Sequence, residues 1–394
     1  MGDCAPEQAP LAASATDRPP PLRFDRAELA GAVADLGVLV PIAVALIVAN
    51  GLSATAVLLP AGLLYVASGL VYRLPIPVQP LKAFGVIAIA QGLGVAEIAA
   101  GALLMGVLFL ALGLSGLIDR AAGLFPRAVV RGVQLSVGLL FFKLAWGLVA
   151  EPPDVFGDTW PSAWMIPATG LLVIVAILGR RHAVTLALVG IASVVAAVTY
   201  SGAWEWGPSA LEAPALSASA LATAAVVLVL PQLPLTFTNS CVAAADAAHA
   251  YFGAAADRVR PGRLGVSLGA ANVLAASIGG MPVCHGAGGL SAHRGFGART
   301  GGAPIAMGVA LLALALVAGN SLAGVLTGFP LPILAALLAV AGLLHLTLLR
   351  DLRGPWEWAL ALAIGVAGVL GSLAVAVVAG VALWWGVRAL RASS

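Results

Sequence analysis

The chain has 394 residues, 61% hydrophobic and only 9% charged, and its mean hydropathy of +1.04 excludes an ordinary soluble protein, in which about a quarter of residues are charged. A membrane span takes roughly 20 apolar residues, so this length holds a dozen or so and leaves no sizeable soluble domain. The net charge of +3 reads as loop charge on a membrane protein, and no nucleic-acid partner is expected.

Residues 1–26 mix Pro, Ala, Asp and Arg without an apolar core, so a disordered cytoplasmic tail is expected there, and not a signal peptide. Apolar runs follow at 27–50, 53–73, a short one at 80–93, and 95–118. Further runs lie at 129–149, 164–178, 184–200, 221–252 and 264–278. A short helix from Gly286 precedes runs at 304–322, 331–349 and 356–385, the last split by a turn at 368–371. Counting the two short pieces, this makes about fourteen segments.

Charge placement agrees with that count. With the N-terminus inside, Arg73, Arg120, Arg127, Arg131, Arg180, Arg181, Arg258, Arg260, Arg263, Arg294, Arg299, Arg350, Arg353, Arg388 and Arg391 share the cytoplasmic face. Glu97, Glu151, Asp154, Asp158, Glu205 and Glu212 fall opposite. The expected location is a bacterial inner membrane with both termini in the cytoplasm.

Two stretches break the apolar pattern. One is PIPVQPLKAFG, residues 75–85, and the other is GGMPVCHGAGGLSAHRGFGARTGG, residues 279–302. Pro77-Val78-Gln79-Pro80 and Pro282-Val283-Cys284-His285 stand 205 residues apart, seven spans on, so the second copy is inverted relative to the first. The same offset carries Asp35 onto Ser240, beside Asn239. The repeats are expected at 27–202 and 217–390, with a short tail at 391–394.

Alternating prolines impose extended backbone before a helix beginning at Pro80, where proline is tolerated in the first turn. In the second copy, 281–284 are extended and His285 opens a helix whose glycines let a ligand reach bare backbone. Two half-helices starting near the midplane would aim their positive ends at one spot, a site for an anion. Lys82, one turn inside the first half-helix, binds that anion or pairs with a carboxylate. Asp35 and Asp246 are candidates for proton coupling, Asp246 alternatively being solvated or paired with His249. Gln79, Thr236, Thr238 and Asn239 offer hydrogen bonds to oxygens or between helices. His293, Arg294 and Arg299 fall at the cytoplasmic end, Lys143 snorkels outward, and His182 and His345 read as interfacial. Cys4, Cys241 and Cys284 have no paired spacing, and Cys284 with His285 lacks a zinc pattern, so no disulfide, metal or cofactor is expected.

PVQPLKA with PVCHGAGGLSAHRGFGARTG, preceded by ADLGVLVP and LPLTFTNS, resembles the molybdate transporter family of the sulfate permease superfamily over about residues 28–390. The resemblance implies an all-α polytopic fold of seven plus seven inverted segments. A core domain would carry the half-helices and a gate domain would move against it, often as a homodimer. It implies a transporter rather than an enzyme, taking up molybdate, with sulfate or tungstate as alternatives. The matching positions are Asp35, Gln79, Pro80, Lys82, Asn239, Cys284, His285, Gly286, Gly288, Gly289 and Arg299. The C-terminal regulatory domain usual in sulfate permeases is not in this sequence, as is common in the molybdate branch. Alternatives are a nucleobase-type transporter of the same architecture, a channel, and, more distantly, a membrane-embedded metal enzyme using Cys284, His285 and His293.

Overall fold

The computed structural model describes residues 20–152, 154–156, 162–178 and 181–392. Residues 1–19, Asp158, Arg180 and the side chains of Arg181, His182 and Arg391 therefore lie outside the described residues.

Backbone at membrane depth must satisfy its own polar groups, and here helices do nearly all of that. The first half runs α1 (Arg26–Val33), α2 (Leu36–Val48), α3 (Ala54–Tyr72), β1 (Gln79–Pro80), α4 (Lys82–Ala90), α5 (Val95–Leu114), α6 (Leu117–Ala122), α7 (Arg127–Ala150), α8 (Ser162–Leu178) and α9 (Arg181–Thr199). The second half begins with α10 (Ala218–Thr223), α11 (Leu230–Leu235) and α12 (Ala244–Phe252), joined through π-helical turns at Ala224–Val229 and Thr236–Ala243. Pro231 and Pro234 deprive this long helix of amide donors, and widened turns accommodate the loss. Then come α13 (Pro261–Ser277), β2 (Val283–Cys284), α14 (Ala287–Phe296), α15 (Gly302–Val317), α16 (Gly319–Thr327), α17 (Leu331–Leu346), α18 (Gly354–Leu370) and α19 (Leu373–Ala392).

Among the described residues, six helices are long and apolar enough to cross a membrane, or eight if the bent pairs α1–α2 and α15–α16 are each one span. The shorter apolar helices α8, α9 and α18, with α13 and the half-helices α4 and α14, bring the segments to the expected fourteen.

The helices form two groups. In the core group, α3 lies along α15 and α5 along α13; in the gate group, α7 packs on α17 and α18. Bare glycine backbone lets the closest crossings form. A Cβ on Gly62 would stand 3.1 Å from the Gly308 carbonyl, and one on Gly269 would stand 2.9 Å from the Gly106 carbonyl. Where α7 meets α17, a Cβ on Gly342 would lie 3.1 Å from the Gly138 carbonyl. Each crossing joins one residue from each half, as an inverted repeat requires.

The 205-residue offset survives residue by residue at the centre. Adding 205 to Leu81 and Lys82, the N-cap and first residue of α4, gives Gly286 and Ala287, the N-cap and first residue of α14. β1 and β2 pair antiparallel with Gln79 opposite Cys284 and Pro80 opposite Val283. Only at Gln79 does a residue face its own repeat equivalent, so the pseudo-twofold axis passes between Gln79 and Cys284.

Cross-chain hydrogen bonds hold each expected face together. At one end, the linker between the halves crosses α3, α15 and α16 through Ser209 with Thr55 and Gly207 with Val317. At the other, the Arg73 carbonyl, on a residue held at φ 58, accepts from Gly301 N. Ordered contact begins before residue 26, where the sequence suggested the tail ends: Arg23 N donates to Thr300 Oγ1 at 3.2 Å, and the Asp25 carboxylate caps α1. The hydrogen bond from the Glu28 amide is the main influence holding the Asp25 carboxyl below its usual range.

Candidate anion-binding site

The short strand pair leaves α4 and α14 starting on either side of the pseudo-twofold axis. Asn272 on α13 fixes β2, donating from Nδ2 to the Val283 carbonyl at 2.9 Å and accepting from Val283 N at 2.7 Å. Extended backbone at this depth is thereby satisfied within the protein. Gly279, at φ 65, makes the turn from α13 toward the strand. No sequence motif singled out Asn272; an amide five residues before the end of an apolar helix was the available signal.

From the first half come four side chains in a row. Gln79 Nε2 donates to Asp35 Oδ1, Lys82 Nζ donates to Gln79 Oε1 at 2.6 Å, and the Tyr65 hydroxyl donates to Asp35 Oδ2 at 3.2 Å. All are buried. Asp35 sits at the 42° bend between α1 and α2, where Val38 N and Leu39 N both turn to its carbonyl. Lys82 is the first residue of α4, preceded by Leu81 as N-cap. This corrects two expectations: Pro80 belongs to the strand rather than the helix, and Lys82 stands at the helix start rather than one turn in. The strand pairing takes Pro80, and Leu81 N is spent on the Pro282 carbonyl at 3.1 Å. The question left open for Lys82 resolves into a chain in which Gln79 stands between its ammonium and the Asp35 carboxylate.

The second half contributes backbone. The amides of Ala287, Gly288 and Gly289 open α14 and have no intrahelical acceptor, and no backbone carbonyl among the described residues takes them. A Cβ on Gly286 would collide with Gln79 Oε1. One on Gly289 would come within 2.6 Å of Gln79 Nε2 and 2.8 Å of Asp35 Oδ2. One on Gly288 would come within 2.7 Å of the Phe141 ring on α7, the same ring that lies 5.7 Å from Lys82 Nζ. These glycines admit the first half's polar chain on one side and the gate helix on the other. On α4 the third amide, Phe84 N, is taken by Gln232 Oε1 at 2.9 Å, which leaves the opening of α4 to Lys82 and Ala83.

Other expected residues stand elsewhere. His285 faces away: Nδ1 lies 2.9 Å from the Pro77 carbonyl and Nε2 2.8 Å from Ser267 Oγ, so both ring nitrogens are engaged. Successive strand side chains point to opposite faces, and His285 braces the two strand segments instead of lining the cradle. Cys284 is buried opposite Gln79, with Sγ 3.8 Å from the Pro80 carbonyl. Asn239 is buried on the π-helical stretch with Oδ1 unpartnered. Thr236 accepts from Gln232 Nε2 at 2.9 Å, and Thr238 donates to the Pro234 carbonyl at 2.8 Å. Arg299 is engaged locally: its amide, with that of Thr300, donates to Glu28 Oε1 at 2.9 Å, and its Nη1 donates to the Arg294 and Ala298 carbonyls.

Asp246 is neither solvated alone nor paired with His249. It is ion-paired to Arg131 Nη1 and accepts from Gln134 Nε2 at 3.2 Å. Arg131, 3% exposed, also donates from Nε to Asp351 Oδ1 at 2.7 Å. Asp246 thus serves the contact between α12 and α7. His345, expected at the interface, is fully buried with Nδ1 2.6 Å from Ser291 Oγ. His293, expected at the cytoplasmic end, is fully buried beside Asp35 and stacked on Tyr65, ring centroids 6.2 Å apart. Lys143 is exposed, as expected of an outward-reaching side chain.

Comparison with known proteins agrees with this architecture. The chain matches the family described as "Molybdate transporter of MFS superfamily" over residues 27–141 and 224–344. It is 31% identical over 381 residues to Molybdate transporter 1 of Arabidopsis thaliana, covering 84% of this chain and 81% of that protein. It is 29% identical over 360 residues to Molybdate transporter 2 of the same plant, covering 80% and 77% respectively. Among solved structures it is similar to the transmembrane domain of a cyanobacterium bicarbonate transporter, BicA, with TM-score 0.57 at 17% identity over 90% of this chain and 97% of that one. It is also similar to murine Slc26a9, an anion transporter in the inward-facing state, with TM-score 0.62 at 16% identity over 93% and 69%. The fold of this chain is the one these structural neighbours share. Both of these Arabidopsis relatives are plant proteins and lend no support to the expected bacterial membrane. By the extent of the family match and the identity to its curated relatives, the chain belongs to the molybdate transporter family.

Proposed function

We propose that this protein is a secondary transporter that imports molybdate, bound between the starts of α4 and α14, with tungstate and sulfate as competing tetrahedral dianions. The observation that carries this reading is the equivalence of the two half-helix starts about the Gln79–Cys284 axis, with open amides on Ala287, Gly288 and Gly289 facing a chain that ends in the Lys82 ammonium. Helix N-termini and free amides favour anions, and a buried lysine adds charge where little water screens it. Gln79, Lys82, Gly286 and Gly288 are the residues we assign to the anion. Asn239, with its buried unpartnered oxygen, is assigned to its surroundings.

Transport would proceed by movement of the core group against the gate group. Contacts that must exchange include Gly288 against Phe141, Ser291 with His345, and Asp246 with Arg131. Moving one charge against the membrane potential costs about 2.3 kcal/mol per 100 mV, so importing a dianion into a cell negative inside calls for a compensating cation. We assign proton coupling to Asp35. The repeats are taken as 27–202 and 217–390, both termini as cytoplasmic on the arginine distribution, and the assembly as a homodimer, for which mass measurement in detergent is the test.

The experiment is binding of molybdate to purified protein in competition with tungstate and sulfate, paired with uptake into proteoliposomes. Saturable molybdate binding displaced by tungstate supports the reading, and failure of all three anions to bind overturns it.

A further inference from the structure

His293 has no role in the account so far, yet it is fully buried, and its ring nitrogens have only loose contacts, to the Pro75 carbonyl and to Asp35, among the described residues. Burying such a group with its polar atoms poorly satisfied is costly, so its surroundings require an explanation. Nε2 lies 3.9 Å from Asp35 Oδ2, too far for a hydrogen bond in this conformation and near enough for one after a small shift. The Tyr65 ring stacks on the imidazole at an interplanar angle of 11°, while the Tyr65 hydroxyl donates to that same Asp35 oxygen. The Pro75 carbonyl also lies within reach of the ring.

Among the described residues the other charged groups around α14 each have a partner of their own, with Glu28 Oε2 and Arg294 Nε left unpaired. From α1, Glu28 accepts the amides of Arg299 and Thr300. From α4, Lys82 reaches Asp35 only through Gln79. From α7 and α12, Arg131 and Asp246 hold each other. From α17, His345 binds Ser291, whose hydroxyl also lies 2.8 Å from the Tyr251 hydroxyl. On α14 itself, Arg294 lies over the Tyr251 ring at 4.5 Å. Asp35 is the carboxylate that His293 meets.

We infer that His293 and Asp35 together form the binding site of the coupling proton, held between Nε2 and Oδ2 when the anion is bound. This rests on the proposed proton coupling and names the residue that completes it. The formal charges of Lys82 and Asp35 cancel, so a dianion entering the cradle meets no net positive side-chain charge. One proton on the His293–Asp35 pair supplies it, through a continuous chain His293–Asp35–Gln79–Lys82 that ends at the anion. The proton comes from solvent and leaves to solvent on the opposite side, and no covalent bond is made or broken beyond the N–H. Linkage makes the effect reciprocal: anion and proton raise each other's affinity by the same factor, commonly about five- to a hundred-fold.

The test is calorimetric titration of the purified full chain with sodium molybdate in two buffers of different ionisation enthalpy. The wild type is expected to take up about one proton per anion. His293→Gln, and His293→Asn run in parallel so that one misfolded variant does not stop the comparison, are expected to bind more weakly and draw no proton, with heats that coincide in the two buffers. Undiminished proton uptake in either folded variant overturns the role of His293 while leaving coupling intact. No proton uptake by the wild type overturns both the inference and the coupling it rests on. Complete loss of molybdate binding in a folded variant also contradicts the inference, because it would make His293 a ligand of the anion itself.

Discussion

The two halves of the cradle share a backbone plan and differ in chemistry. Asp35 and Gln79 in the first half map by the 205-residue offset onto Ser240 and Cys284 in the second, and Ser240 stands beside Cys284 as Asp35 stands beside Gln79. Lys82 and Phe84 map onto Ala287 and Gly289. The first half thus provides charge and side-chain hydrogen bonds, whereas the second provides bare amides and room. A duplicated scaffold brings both contributions together, and in the proposed site the divergence would set a cation on one side of the dianion and dipoles on the other. Symmetry explains where the site is; asymmetry explains what it can hold.

Substitutions that remove this division of labour should have the largest effects. Gly288→Val adds bulk where a Cβ already comes within 2.7 Å of Phe141. Overpacking of this kind costs about 1–3 kcal/mol, and uptake into proteoliposomes is expected to fall to background while the protein still elutes as a folded species. Normal uptake by that variant would remove Gly288 from the site. Gln79→Leu comes next. It strips Asp35 and Lys82 of their common partner, a loss of about 1–3 kcal/mol for a buried group left unsatisfied. The thermal midpoint should drop and molybdate binding weaken by at least about tenfold, as direct titration would show.

A smaller effect is expected at the core–gate contact. Arg131→Gln leaves Asp246 and Asp351 facing each other without their shared cation. Both carboxylates are partly exposed, so water moderates the cost, and the maximal uptake rate should change several-fold with little change in molybdate affinity. An altered affinity at constant rate would place Arg131 in binding rather than in the conformational step. The smallest effect should come from Cys284→Ala, the repeat counterpart of Gln79. Its Sγ makes a long contact to the Pro80 carbonyl and meets Ser240, and a small change of volume costs under about 1.5 kcal/mol, so binding should stay within about threefold. Equal losses from Gln79→Leu and Cys284→Ala would dissolve the contrast between the halves.

Much of the scaffold was legible in the sequence because proline and glycine act locally. Pro75, Pro77 and Pro80 announced extended backbone, and the Gly286–Gly289 stretch announced a helix start with bare amides. The facing of side chains was less legible. Residue type drew His285 toward the ligand, but strand alternation turns it to Pro77 and Ser267. His293 was placed at a membrane end by counting along α14. Its spacing of four from Gly289 puts both on one helix face, the face that meets Asp35, and that signal was available. The Arg131–Asp246–Asp351 cluster joins residues 115 and 220 positions apart and carries no local pattern, since only the packing of α7 against the long helix and the end of α17 creates it.

The central claim is that one oxyanion lies between two equivalent helix starts. Tungstate scatters X-rays strongly and has the shape of molybdate, so an experimental structure of the purified protein with tungstate locates the anion directly. The account expects a single strong peak between Lys82 Nζ and the amides of Gly288 and Gly289, lost in the Gly288→Val protein. A peak elsewhere in the molecule, or none at a concentration that saturates binding, would contradict it.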